Sequence, residues 1–479
     1  MNRAIRHVWL AAVAIFAVLL LALTSIMFFQ QRSLAADPWN TRSLYQQFGK
    51  DRGPILAGGQ EVARSVPTDG DYAYQREYTD GEVYAPLTGY FSPIYGATGL
   101  ENAMGEQLSG DSDSQFYDRV VATLSGNQPS GASVEMTVDP QLQELAYSLL
   151  NGRKGSIVAL EPSTGRILAM VSSPSYDPNL LASHDSAGVI EASQRLNADV
   201  NQPMSNRAIA GNLYSPGSTF KIVDLVAALE SGDYTTDSTI PNPQNLQLPN
   251  TSTTLPNYVG GNCASRTEAD LEFAFNNSCN TPFAQIAMDL GQDRIRQTAE
   301  NFGYGQDLSI PLTVTPSTFP TDLDDASLAM SAIGQYDVRS TPLQVAMISS
   351  AIANDGVLMR PQLIQEVRSS DLSVIDSFRA QQMQRSTSAD VANTVTDLMV
   401  SSVDNGIARG AQVPGYSVAG KTGTAEIGAS GTSSSWFTGF APADNPQVAV
   451  AVVYDDIPAG QSSDATANAQ QMFEAVLNG

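Results

Sequence analysis

The 22 residues from Val8 to Phe29 contain only two polar side chains, Thr24 and Ser25. As a helix rising ~1.5 Å per residue, such a run is about 33 Å long, the thickness of a bilayer's hydrocarbon core. The core of a water-soluble domain has no use for so uniform a segment. It therefore divides the chain into a short tail (residues 1–7), an anchor (8–29) and everything that follows. Arg3 and Arg6 precede the run, and Arg32 alone follows it closely. That asymmetry puts the tail in the cytoplasm and the rest outside. Ser33-Leu34-Ala35-Ala36 offers a cleavage site for the rival reading, a removed signal peptide. The run, however, far exceeds the ~7–15 apolar residues of such a signal. We expect an uncleaved, single-pass anchor in the cell membrane, with the remainder extracytoplasmic.

That remainder is acidic. With 25 basic and 49 acidic residues the formal net charge is −24, which repels phosphate backbones and excludes a nucleic-acid partner. Of the basic residues 21 are Arg and four are Lys: Lys50, Lys154, Lys221 and Lys421. An amine can give up its proton and a guanidinium cannot, so each lysine is worth inspecting. Two histidines (His7, His184) and two scattered cysteines (Cys263, Cys279) are a poor supply of metal ligands, and we expect neither metal nor cofactor. A Ser-His-Asp triad rests on His184 alone, in the loop-like stretch Asn179–Asp185, where it reads as solvated. Lys50 and Lys154 read as surface cations and Glu161 as a turn residue.

Residues 30–132 read as a structural or docking module with its linker; from Ala35 to about Thr123 they are rich in Tyr, Gly, Asp and Thr, and Gly81–Gly89 suggests short strands broken by turns. A linker-like stretch covers Ser125–Ser133. From residue 133 to residue 479 the pattern changes. Asp139-Pro140 is a strong helix start, an N-cap followed by Pro at the first helical position. Gly155–Leu160 and Arg166–Val171 are strand-like and flank the turn Glu161-Pro-Ser-Thr-Gly165, which predicts a hairpin. Helical spacing dominates the middle: Lys221–Glu230, Glu268–Phe275, Pro282–Leu290, Arg294–Phe302, Leu343–Ala353 and Ala389–Val400. Strands return at Gly415–Glu426, Ser434–Phe440 and Gln447–Tyr454, before a helix from about Ser463 to Leu477. The fold class is α+β: an antiparallel five-stranded sheet packed with helices.

Three short motifs carry chemistry. Ser218-Thr-Phe-Lys221 follows the turn Tyr214–Gly217 and opens an apolar helical run, so Lys221 lies on the same face as Ser218. That suits a serine nucleophile activated by a lysine base. Burial and a second cation would keep the amine neutral. Ser278-Cys-Asn280 says nothing alone; in the same cleft, the Ser278 hydroxyl could relay a proton and the Asn280 amide could hold a peptide bond. Lys421-Thr-Gly-Thr424 is far rarer by chance, given four lysines. There Lys421 supplies the second charge, and Thr422 and Thr424 offer hydroxyls to a carboxylate. Gly423 would let a substrate backbone lie close. The Ser218 and Thr424 N–H groups are candidates for an oxyanion hole.

In this order the motifs resemble those of the penicillin-binding protein and serine β-lactamase superfamily. Val158–Met170, Ser173–Asn179, Asn206-Arg-Ala208, Gly334-Gln335, Thr341–Gln344 and Trp436–Pro442 resemble a class B transpeptidase domain. The anchor and short N-terminal region resemble the pedestal, or dimerisation-type domain, of the actinobacterial members of that class. The resemblance implies helices on both faces of the sheet plus an all-helical part. It also implies acyl transfer on peptidoglycan stem peptides, with Ser218 acylated by D-Ala-D-Ala or by β-lactams. An amine of a neighbouring stem then resolves the acyl-enzyme. Class B enzymes lack a glycan polymerase, so a separate polymerase and cell-wall assembly proteins are expected partners.

Cys263 and Cys279, 16 residues apart and outside the reducing cytosol, are expected to pair, with two free thiols as the alternative. Two rival functions remain open at this point. A D,D-carboxypeptidase or β-lactamase-type hydrolase would deacylate with water, yet no dedicated carboxylate is apparent. A non-catalytic β-lactam sensor or scaffold would need no pair of lysines.

Overall fold

A computed structural model describes residues 3–30, 48–70, 72–115, 124, 130–211, 213–258, 261–428, 431–458 and 463–479. Most of the expected linker at 125–133, and the alternative cleavage site at 33–36, lie outside them. Helix α1 (Arg3–Ser25) runs on as a wider turn through Ile26–Gln30. With a mean hydropathy of 2.7 and no burial against the rest of the protein, this is the one described helix long and apolar enough to cross a membrane.

Strands β1 (Ile55–Ala57), β2 (Gln60–Pro67) and β3 (Tyr74–Tyr78) form an antiparallel meander. The next segment corrects an expectation: Gly81–Thr88 is a helix, α2, despite its Val-Tyr pair and Pro86. Tyr84, Ala85, Leu87 and Thr88 are buried along it, and that tertiary burial outweighs local strand propensity. Beneath the meander Glu101 is fully buried between two arginines, with Arg52 Nε and Arg76 Nε each 2.6 Å from a carboxylate oxygen. Burial pushes the Glu101 carboxyl up, but the two guanidinium groups outweigh it and hold it below the ordinary glutamate value.

Strand β4 (Ser133–Met136) leads into α3 (Pro140–Leu150), where the Asp139 carboxylate accepts from Leu142 N and so fixes the start. Strands β5 (Gly155–Leu160) and β6 (Ile167–Ser173) form the hairpin. The helices that follow include α4 (Lys221–Ser231), α5 (Leu271–Asn276), α6 (Asn280–Leu290) and α7 (Pro342–Ala353). Helix α5 is shorter than expected. Asp270 caps it by accepting from Phe273 N, while Glu268–Ala269 pair as a strand with Ile240–Pro241. Then come β7 (Ile364–Arg368), β8 (Val374–Ser377), α8 (Ala389–Asp404), β9 (Ala419–Glu426), β10 (Thr432–Ala441), β11 (Val448–Pro458) and α9 (Ala465–Asn478).

The five-stranded sheet has the order β9-β10-β11-β5-β6, antiparallel throughout. Alternation along β5 sends Ile157 and Ala159 to one face and Val158 and Leu160 to the other. The first pair packs with Leu142 and Ala146 of α3 and Met472 and Phe473 of α9; the second packs with Val345 and Ile348 of α7. Both faces are therefore covered, which is why β5 is buried along its whole length.

The other large sheet has the order β8-β7-β4-β1-β2-β3. β4 runs parallel to β1, and β7 pairs antiparallel with β4. The sheet crosses the boundary expected at residue 132/133: β4, β7 and β8 come from the C-terminal part. The N-terminal part is thus bonded to the C-terminal part by backbone ladders and not merely tethered to it.

Candidate active site

Ser218 lies in the single 3-10 turn Gly217–Thr219 that delivers the chain into α4. Trp436 of β10 anchors that turn by donating from Nε1 to Ser215 O at 3.1 Å. Two close backbone approaches hold it further. A Cβ on Gly217, whose φ is +54°, would meet Thr424 O at 2.5 Å, and a Cβ on Gly334 would meet Gly217 O at 2.1 Å. Gly217 is thereby packed on Thr424, which brings the Ser218 turn against β9. Gly423 serves the same contact: a Cβ there would stand 3.0 Å from both Pro216 O and Thr219 Cγ2. The atoms that crowd Gly423 belong to the chain's own turn, where a substrate backbone was expected.

Lys221 is fully buried. Its Nζ donates to Ser278 O at 2.9 Å, Cys279 O at 3.0 Å and Asn280 Oδ1 at 2.8 Å, and it reaches Ser278 Oγ at 3.5 Å. Lys421, also fully buried, donates to Ser278 Oγ at 2.8 Å and Thr422 O at 3.1 Å. Two amines from sequence-distant elements thus converge on one hydroxyl. Burial pulls Lys221 well below the ordinary lysine range; the charge of Lys421 adds to that, and Asp224 opposes it. Burial alone brings Lys421 down to about 7. A neutral amine has two N–H donors and a lone pair, whereas an ammonium has three donors. Loss of one proton from Lys221 therefore releases one of its acceptors and frees a lone pair one helical turn from Ser218. Among the described residues the Ser218 hydroxyl has no hydrogen-bond partner, so it is free to turn toward that base.

Ser278 occupies the connection between α5 and α6 with a left-handed backbone, φ +54°. That conformation is costly for a side chain with a Cβ and persists only where neighbours over-determine it. Two neighbours do so here. Cys279 is disulfide-bonded to Cys263, with Cα atoms 5.6 Å apart. Asn257 Oδ1 accepts from Asn280 N at 2.7 Å and from Thr281 N at 3.2 Å, capping α6 from outside the helix. Asn257 Nδ2 meanwhile donates to Asn242 Oδ1, Pro243 O and Thr281 Oγ1. Nothing in the local sequence marks Asn257, because the helix start it caps lies more than twenty residues away. Asn280 is engaged at both ends of its amide, Oδ1 by Lys221 and Nδ2 by Pro256 O at 3.0 Å.

The other titratable residues singled out in the sequence take no part. His184 is half-buried and edge-on to Phe48 and Tyr72, so it is packed instead of solvated. Lys50 pairs with Asp111, Lys154 with Asp456, and Glu161 accepts from Thr164 within its turn.

The chain is similar to known proteins over most of its length. Residues 155–478 match the family described as penicillin binding protein transpeptidase domain, and residues 52–134 match the penicillin binding protein A dimerisation domain. The peptidoglycan D,D-transpeptidase PbpA of Mycolicibacterium smegmatis is 42% identical over 465 residues, which span 95% of this chain and 94% of that protein. The imipenem acyl-enzyme of penicillin-binding protein A from M. tuberculosis superposes with a TM-score of 0.87 at 40% identity, covering 90% of this chain and 100% of that one. The penicillin G acyl-enzyme of the same protein gives a TM-score of 0.84 at 40% identity, covering 90% and 99%.

Proposed function

The chain belongs to the penicillin-binding protein transpeptidase family, and from that premise we propose that Ser218 is the nucleophile with which it cross-links peptidoglycan. It is a serine-type peptidoglycan D,D-transpeptidase that β-lactams acylate. The observation that carries the residue assignment is the convergence of two fully buried amines, Lys221 and Lys421, on Ser278 Oγ, beside the Ser218 turn.

Ser218 Oγ attacks the carbonyl carbon of the penultimate D-Ala of a stem peptide, and its proton passes to neutral Lys221. The carbonyl oxygen gains negative charge between the N–H groups of Ser218 and Thr424, a fixed-dipole stabilisation. Lys421 helps keep Lys221 neutral beforehand and, with Thr422 and Thr424, holds the terminal carboxylate. The C–N bond breaks as Ser278 hands its proton to the departing D-Ala nitrogen and takes the proton held by Lys221, which is neutral again. An ester on Ser218 remains. An amine of a neighbouring stem attacks that ester, loses a proton to the same base and forms the amide cross-link as Ser218 recovers its hydroxyl. Asn280 fixes the Lys221 amine through Oδ1 and completes the peptide-binding edge.

Residues 133–479 form the transpeptidase unit, residues 30–132 a pedestal, and residues 8–29 an uncleaved anchor that keeps residues 1–7 in the cytoplasm and the catalytic part outside. The charge asymmetry around the apolar run supports that orientation. A separate glycan polymerase and cell-wall assembly proteins complete the system. Covalent labelling with a fluorescent penicillin tests the core of the proposal: the wild type labels and Ser218→Ala does not. Labelling that survives Ser218→Ala would overturn it.

A further inference from the structure

The side-chain amide of Asn280 is held the same way round by two neighbours. Lys221 Nζ donates to it and so faces its oxygen, while Pro256 O can only accept and so faces its nitrogen, at 3.0 Å. That leaves the amide one group to offer a substrate, the second Nδ2 hydrogen. Where this hydrogen points depends on the backbone of Asn280, the first residue of α6. The N–H groups of a first helical turn have no partner within the helix. Here Asn257, 23 residues earlier, supplies one: its Oδ1 accepts from Asn280 N at 2.7 Å and from Thr281 N at 3.2 Å.

We infer that Asn257 is a positioning residue for acylation: it aims the free N–H of Asn280 at the peptide carbonyl of the donor, with Asn242 behind it. The inference rests on the place of Asn280 at the peptide-binding edge. Asn257 acts on Asn280 from two sides, through its own Oδ1 on the backbone and by carrying the adjacent Pro256 O against the side chain. It is itself held firmly. Fully buried, it donates from Nδ2 to Asn242 Oδ1 at 2.7 Å, Pro243 O at 3.1 Å and Thr281 Oγ1 at 3.0 Å. Its backbone N–H donates to Gln244 O at 2.9 Å. Asn242, also buried, donates in turn from Nδ2 to Cys263 O and Arg266 O, both at 2.8 Å. An uncharged chain of three asparagines thus runs from the disulfide-bonded turn to the substrate edge. A buried network whose members are all paired specifies a single arrangement. Placing the supporting residues this way fixes a group that a single hydrogen bond would leave loose.

Penicillin G carries an acylamino side chain and 6-aminopenicillanic acid does not. The ratio of their acylation rate constants on the full chain in detergent therefore reads the Asn280 contact, whatever fraction of the protein is folded. In the wild type penicillin G leads. Asn280→Ala and Asn257→Ala each lower the ratio by about 3–10-fold, the worth of one neutral hydrogen bond. In an Asn280→Ala background, Asn257→Ala lowers it no further, because the two act as one unit. Asn242→Ala withdraws the support but leaves both Oδ1 contacts of Asn257 in place, so it gives a smaller drop in the same direction; it decides the matter if Asn257→Ala does not fold. A ratio that Asn280→Ala lowers and Asn257→Ala leaves at the wild-type value would overturn the positioning role, and so would additive effects in the double variant. A ratio unmoved by Asn280→Ala would overturn the peptide-binding role of Asn280 and the inference with it, while leaving Ser218 in place. A wild type that neither compound acylates would overturn the Ser218 reading itself.

Discussion

Lys421 Nζ lies 2.8 Å from Ser278 Oγ, 143 residues away in sequence, and Lys221 approaches the same oxygen at 3.5 Å. The hydroxyl thus stands between the two amines. The charge state of Lys421 bears on that of Lys221.

That dependence sets a pH profile. With Lys221 as the proposed base, active only when neutral, penicillin acylation should rise with pH through its lowered value, well below the ordinary 10.5 of lysine. Loss of the Lys421 charge, at about 7, acts against that rise. Lys421→Met removes a neighbouring positive charge and therefore raises the Lys221 value. We expect the rising limb to move to higher pH and the maximal rate to fall by about 10²–10³-fold. An unmoved limb would separate the two lysines. Lys221→Arg should abolish acylation, since a guanidinium does not deprotonate. Lys50→Arg, at the Asp111 pair in the pedestal, should leave acylation unchanged.

Cys263–Cys279 closes a loop across 16 residues. Its loss should lower stability by about 3 kcal/mol, read as a drop in the unfolding midpoint under reductant or in Cys263→Ser. Because Cys279 adjoins Ser278 and its carbonyl accepts from Lys221, the acylation rate should fall as well. Equal stability with and without reductant would show that Asn257 alone holds the connection.

Glu101→Gln leaves Arg52 and Arg76 buried without a counter-charge, at a cost of about 3–5 kcal/mol at neutral pH. The folded carboxyl is held below its ordinary value of 4.5. Its contribution is therefore full above that value and is lost as pH falls through the lower, folded one. Urea unfolding at neutral and acid pH should show the variant's deficit narrowing on acidification. A deficit independent of pH would mean that packing and not charge explains it.

Asp224 is a liability of the opposite sign. It is fully buried, and neither carboxylate oxygen has a hydrogen-bond partner among the described residues. Burial pushes its carboxyl well above 3.8, against the pull of Lys221. Stability is therefore greatest below the ordinary aspartate value and is lost as pH rises toward the folded one. Asp224→Leu should gain about 1–3 kcal/mol at pH 7, measured by urea unfolding. A loss of stability there would show that the carboxyl has a partner in solution.

The chain's local features were legible without coordinates. The apolar run from Val8 to Phe29, the Asp139-Pro140 helix start, the β5–β6 hairpin with its Glu161–Gly165 turn and the three-residue spacing of Ser218 and Lys221 all depend on residues close in sequence. In each, periodicity, capping or turn chemistry acts within a few residues. Local preference misled where burial overrode it, as at α2, and it was silent where a side chain's partners lie far away. Asn257 beneath Asn280, Glu101 between two arginines, the approach of Gly423 to the Ser218 turn and the recruitment of β7 and β8 to the pedestal sheet belong to that second kind. Sequence by itself determined which groups are available for the chemistry: two serines, two lysines and a threonine-flanked strand. Only the tertiary structure decided that both amines are buried and meet at Ser278 Oγ, because charge, burial and hydrogen-bond distance are properties of contacts between elements far apart in the chain.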